Sequence, residues 1–127
     1  MIYAIIIILI ALLQYMFFAG RVGANRGKFE ITAPHVAGNE TWERMFRVQM
    51  NTLEQIIIFI PGMLAFSYYV NSNWVILPGV VYIIGRQIYS AMYISNPEKR
   101  GFGMILTFIA NFSLVIGALI GAIITLI

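Results

Sequence analysis

Glu43-Arg44-Met45-Phe46-Arg47-Val48-Gln49-Met50-Asn51-Thr52-Leu53-Glu54-Gln55 runs without a break into Ile56-Ile57-Ile58-Phe59-Ile60. The stretch reads as one helix, charged and amide-rich at its start and apolar beyond. Its apolar part, as far as Val70, is only ~22 Å long at about 1.5 Å per residue, short of the ~30 Å hydrocarbon core of a bilayer. The polar turns before it must therefore enter the membrane boundary, shielded by protein. Polar groups are costly there, so Glu54 and its neighbours mark the place to look for a bound polar ligand.

The rest of the chain supports that setting. Of 127 residues, 61% are hydrophobic and 10% charged, and the mean hydropathy is +0.87. Soluble domains carry roughly 45–50% apolar and about 25% charged residues, so this is the composition of a single-domain integral membrane protein. Cysteine is absent, which excludes disulfides, thiolate metal sites and a catalytic cysteine. Any thiol chemistry must use a thiol brought by a ligand. The one histidine, His35, stands alone beside Pro34 in a polar loop, and a metal site needs several ligands; no metal is expected.

Hydropathy predicts four membrane-spanning helices, over about 2–20, 41–70, 74–94 and 101–127, packed as an all-α antiparallel bundle within one domain, 1–127. The first, broken only by Gln14, lacks a basic leading region and is read as a retained helix rather than a signal peptide. The loop from Arg21 to Thr41 has glycines, Pro34 and mixed charge, the composition of a connector. Asn71-Ser72-Asn73 makes a tight turn into the third helix, whose Pro78 lies in the first turns, where proline is tolerated. Gly117 and Gly121 on the fourth helix have the small-xxx-small spacing that lets backbones approach.

Basic residues orient the bundle. Arg21, Arg26, Lys28, Arg44 and Arg47 lie in or beside the first loop and Lys99 and Arg100 in the third, while the second loop and the termini have none. The positive-inside bias then places loops one and three in the cytoplasm and both termini on the opposite side. The formal charge of +3 suits anionic lipid headgroups or anionic ligands. Nucleic acid is not expected as a partner, because the basic residues hug a membrane edge.

At about 100° per residue, Glu43, Arg44, Arg47, Asn51, Glu54 and Gln55 fall within an arc of about 120°, with Gln49 pointing away from it. On the third helix Tyr82, Arg86, Tyr89 and Tyr93 fall within about 60°. Two polar stripes thus open toward the same membrane surface. An internal ion pair of Glu54 with Arg86 or Arg47 would explain two or three of these residues as helix-register devices. It would not explain the rest, which suit a ligand site. Tyr68, Tyr69, Trp42 and Trp74 are assigned to the aromatic belt at the interface.

These motifs together resemble a known family. Glu43-Arg44-x-x-Arg47-x-Gln49-x-Asn51-x-x-Glu54, Gly85-Arg86-x-x-Tyr89-x-x-x-Tyr93 and Pro97-x-x-Arg100-x-x-Gly103 are similar to the membrane-associated proteins in eicosanoid and glutathione metabolism, which include microsomal glutathione transferases and leukotriene C synthases. The resemblance covers essentially the whole chain. It implies a homotrimer with glutathione as co-substrate between neighbouring subunits, held by Arg47, Asn51, Glu54, Arg86, Tyr89 and Tyr93 of one, with Arg26 and Gln49 reaching in from the next. Gln49 on the opposite face suits such a boundary.

Arg100 matches the arginine that faces the ligand's sulfur. A free thiol titrates near ~8.5, so a guanidinium held close favours the nucleophilic thiolate. Arg26 and Arg47 would take carboxylates, while Glu54 would receive the ammonium or hold an arginine. The resemblance implies a transferase, with peroxidase activity also open, acting on a lipophilic electrophile from the membrane lipid between residues such as Ile88, Met92, Phe102 and Phe108. Gln55 replaces a tyrosine of the leukotriene C synthase pattern, and Arg26-Gly27 reduces a basic pair. Other readings are a non-catalytic lipid-binding scaffold of the same family and a small multidrug exporter, although such exporters keep an acid in the first span, where this chain has only Gln14.

Overall fold

The computed structural model describes residues 1–127 and is entirely helical. α1 (Ile2–Ala24), α2 (Glu40–Tyr69) and α3 (Ile76–Ser95) are followed by a single 3-10 turn, Pro97–Lys99, and by α4 (Gly101–Leu126). By length and composition, α1, α2 and the run from Pro97 to Leu126 are each long and apolar enough to cross a membrane. α3 has 20 residues, but Arg86, Gln87 and its tyrosines leave it without a membrane-length stretch as apolar as the best of the others.

Local chemistry sets the helix ends. α1 continues past Gly20 and Gly23 to Ala24, beyond the expected end near residue 20, because Val22 is buried in a cluster with Trp42 and Ile31. The Asn25 amide closes it by donating to Arg21 O at 2.8 Å. Asn39 Oδ1 accepts from the Trp42 backbone N–H at 3.0 Å and caps α2, with Glu40 and Glu43 in the first turn where the helix dipole favours acids. Asn71 Oδ1 accepts from the backbone N–H of both Asn73 and Trp74, a turn that delays α3 to Ile76. Asn96, extended before Pro97, ends it.

The helices run up and down. Val22 and Trp42 pair the end of α1 with the start of α2; Ile7 and Met63 meet Gly79, at the opposite end; Tyr89 meets Gly103 where α3 turns into α4. Most of the core lies in one half of the bundle, with Ala4, Ile7, Phe59, Met63, Tyr82 and Leu114 among its buried members. The half toward the first and third loops has only small apolar clusters, around Phe18, Val48 and Tyr89 and around Val22, Ile31 and Trp42. The outer surface is apolar, with Leu13, Ile57, Phe108 and Ile124 among the exposed side chains.

α3 packs most extensively against α4. A Cβ on Gly103 would lie 2.5 Å from the backbone nitrogen of Tyr89 and 2.7 Å from Gly85 O, and one on Gly85 would lie 3.0 Å from the Thr107 nitrogen. These glycines bring the two backbones nearly into contact. Gly121 does the same for α4 against the Tyr69 backbone, whereas Gly117 makes room for the Phe66 ring.

Tyr68, Tyr69 and Trp74 are exposed, as belt residues would be, but Trp42 is not. Its ring is fully buried, stacks on Phe46 at 5.6 Å and donates from Nε1 to Val22 O at 3.0 Å. The belt assignment of Trp42 is therefore corrected: it pins α1 to α2.

Candidate functional site

A cavity of about 290 Å³ opens in the sparsely packed half of the bundle, lined by Val36, Glu43, Phe46, Arg47, Met50, Asn51, Glu54, Tyr89 and Tyr93. α2 supplies most of the wall and α3 the two tyrosines. Glu43, Arg47, Asn51 and Glu54 recur at three- and four-residue spacing, so one face of α2 presents an acid, a base, an amide and an acid in ascending order. Such a wall has donors for carboxylates and acceptors for an ammonium.

The remaining members of the polar stripe are used elsewhere. Arg44 pairs with Glu40 and donates to Ile94 O, tying α2 to the end of α3. Gln55 accepts from the Asn111 amide at 3.1 Å and so faces α4. That orientation explains why the amide standing where the related pattern has a tyrosine adds nothing to this cavity. Glu54 forms no ion pair, since Arg44 with Glu40 is the single pair in the chain; the internal Glu54–Arg86 or Glu54–Arg47 pair is overturned.

Arg86 lies behind the wall rather than in it. It is 0% exposed and donates from Nη1 to Asn51 Oδ1 at 2.7 Å and Thr52 Oγ1 at 3.2 Å, from Nε to Thr107 Oγ1 at 3.0 Å, and from Nη2 to Met104 Sδ at 3.3 Å. Its guanidinium carbon stands 4.3 Å from the centre of the Tyr89 ring. Tyr89 in turn meets Tyr93 edge-on at 5.4 Å, and Arg100 covers the Tyr93 ring at 5.3 Å. Two guanidinium groups, one buried and one exposed, thus bracket the paired tyrosines. Phasing places Arg86 correctly on the stripe, but could not show that its length carries it inward to Thr107.

Arg100 is exposed at the junction of the 3-10 turn and α4, donating to Pro97 O at 2.8 Å. It stands beside the cavity through Tyr93 without lining it. Arg26 is also outside, over the Trp42 ring at 4.7 Å and donating to His35 O at 2.7 Å. Gln49 faces α1 and donates to the Tyr15 hydroxyl at 3.3 Å. Within one chain, then, Arg47, Asn51, Glu54, Tyr89 and Tyr93 share the cavity, while Arg26, Gln49, Arg86 and Arg100 do not line it. Glu43 and Phe46 are additional lining residues; Glu43 was legible in the stripe, but Phe46 carried no polar signal. No group of three or more His, Asp or Glu side chains converges anywhere in the chain.

A helical bundle with membrane-length apolar helices and a charged, amide-lined cavity at its loop-rich end defines a class: a membrane protein with a polar cavity whose lining suits a small zwitterionic or anionic ligand. Within that class, the chain belongs to the MAPEG family, whose model matches residues 3–120. It is 38% identical over 108 residues to microsomal glutathione S-transferase 2 of Homo sapiens, covering 84% of this chain and 73% of that one. An uncharacterized protein of Synechocystis sp. is 37% identical over 111 residues, 87% of this chain and 81% of that one. Leukotriene C4 synthase of Bos taurus is 25% identical over 92 residues, 72% of this chain and 61% of the relative.

Proposed function

We propose that this chain is a membrane-bound glutathione transferase that takes glutathione into the α2–α3 cavity, activates it as the thiolate and joins it to lipophilic electrophiles. The observation that carries the reading is the convergence of Arg47, Asn51, Glu54, Tyr89 and Tyr93 on one cavity, with Arg100 at its edge. Glutathione has two carboxylates, an ammonium and a thiol. Arg47 and the Asn51 amide suit a carboxylate, Glu43 or Glu54 the ammonium, and the tyrosine hydroxyls the remaining polar groups.

In this reading Arg100 turns from its contact with Pro97 O toward the sulfur and holds the thiolate, remaining protonated throughout. The thiol proton leaves to water, the sulfur attacks an electrophilic carbon, and a carbon–sulfur bond replaces the bond to the leaving group or the opened ring. With a lipid hydroperoxide instead, two glutathione thiols become the disulfide as the hydroperoxide becomes alcohol and water. The electrophile would reach the thiolate along the exposed side of α4, past Phe102 and Phe108, with the half-buried Ile88 and Met92 behind.

The proposal includes a homotrimer of single-domain subunits in which all four helices cross the membrane, α3 shielded by its neighbours. The cavity of one chain, about 290 Å³, falls at the small end of the roughly 300–1,000 Å³ usual for ligand clefts. A neighbouring copy bringing Arg26 and Gln49 would complete it at the subunit boundary. Loops one and three would face the cytoplasm, where the basic residues lie.

The deciding experiment adds glutathione to purified protein and follows the ultraviolet absorbance of bound thiolate. The parent protein should show it and Arg100→Ala should not. Absence of the signal in the parent would overturn catalysis and favour a lipid-binding scaffold.

A further inference from the structure

Arg86 stands about 15 Å from either end of α3 at 1.5 Å per residue, completely buried, and no carboxylate pairs with it. An unpaired buried charge is costly, and in a membrane segment it marks function more often than architecture. Thr52, Thr107, Met104 and Asn51 satisfy its donors as neutral dipoles, so its positive charge stays uncompensated. A structural lock alone would be served as well by an uncharged side chain.

The geometry also fixes the direction of Asn51. A guanidinium has donors and no acceptor, so Oδ1 must be the atom turned to Arg86. The Asn51 NH₂ group makes no hydrogen bond within the chain and is left for the cavity that Asn51 lines. The same guanidinium lies against the face of Tyr89, the first ring of the pair that leads to Arg100.

We infer that Arg86 is a positioning residue for the thiol reaction: from behind the cavity wall it aims the Asn51 amide and Tyr89 at the bound ligand, and its unbalanced charge stabilises the ligand's anionic form. It rests on the glutathione reading above and adds to it a source of positive potential that never touches the ligand. Because the intervening region is protein rather than water, that potential is weakly screened.

The test compares the parent with Arg86→Lys, Arg86→Gln and Thr107→Val, reading the thiolate absorbance against pH and the KM and kcat for glutathione conjugation. Lysine keeps a charge but cannot reach Asn51, Thr52 and Thr107 together. It should raise the glutathione KM tenfold or more with the thiolate inflection nearly in place, whereas Arg86→Gln, which removes the charge, should move the inflection upward, toward the free-thiol value near ~8.5. Thr107→Val removes the Nε acceptor, together with the hydroxyl's own bond to Gly103 O, and should raise KM several-fold with the inflection nearly in place. If Arg86→Lys fails to fold, the valine variant decides the positioning role. A thiolate signal in the parent with Arg86→Lys and Thr107→Val within twofold of it in KM, or with Arg86→Gln at the parent inflection, overturns the inference, whatever their thermal stability. No thiolate in the parent overturns the glutathione reading itself, and this inference with it.

Discussion

Arg47 and Trp42 lie little more than a turn apart on α2 and show how differently neighbouring side chains are used. Arg47 is exposed into the cavity and makes no hydrogen bond or ion pair in the chain, so its donors are free for a ligand. Removing a charged hydrogen bond costs roughly 1.5–3 kcal/mol; Arg47→Ala should therefore weaken glutathione binding about 10- to 100-fold in calorimetry and leave the melting temperature nearly unchanged. Trp42 has the reverse profile, with a fully buried ring and a bond to Val22 O. Trp42→Ala should destabilise the folded protein by about 3–5 kcal/mol, seen as a lower midpoint of thermal unfolding in detergent. Helical phasing puts Arg47 on the polar stripe, but the sequence reading sends Trp42 to the belt. An aromatic near a membrane boundary looks alike in sequence whether it meets lipid or the Val22 carbonyl.

At the scale of elements, α3 and α4 form the tightest unit, and glycine makes it so. Alanine at Gly103 would drive a methyl against the backbone of Tyr89 and Gly85, which cannot move aside as a side-chain tip can. Gly103→Ala should cost about 1–3 kcal/mol or more and also displace Tyr89, lowering thermal stability and ligand affinity together. Gly20 gives the matched control: nothing lies within 4 Å of its would-be Cβ, so Gly20→Ala in a helix should stabilise by about 0.5–1 kcal/mol. Four helices were legible from hydropathy, and their phases from the polar spacing. The seam at Gly85 and Gly103 was not, because the sequence signal pointed to Gly117 and Gly121, and pairwise spacing says nothing of which partner helix a small residue meets. Likewise Arg44 and Gln55 shared the arc of Arg47 by angle alone. Their distance along the axis sends one to Ile94 O and the other to Asn111.

For the molecule as a whole, polarity is divided by depth. One half is a core of interlocked apolar side chains; the other holds the cavity, the paired tyrosines and the basic loops. If the cavity is completed between copies, native mass measurement of the detergent-solubilised protein should give about three times the 14.3 kDa chain, and glutathione should protect the assembly from dissociation by mass action. A monomer that still binds glutathione at full affinity would contradict the shared site.

The glycine seam and the buried Arg86 together constrain how the chain is made. α3 has the least apolar membrane-length stretch, and a lone arginine at a helix centre opposes membrane insertion by about 2.5–3.5 kcal/mol. Its best acceptor outside α2, Thr107, and the cleft that receives it belong to α4, which is synthesised later. α3 should therefore wait for α4, the two entering the bilayer as a hairpin once the ribosome has passed Thr107 and α4 has emerged. Chains truncated after Arg100 and released from the ribosome should leave α3 accessible to a glycosylation reporter or carbonate wash, whereas the Arg86→Leu version of the same truncated chain should integrate without its partner.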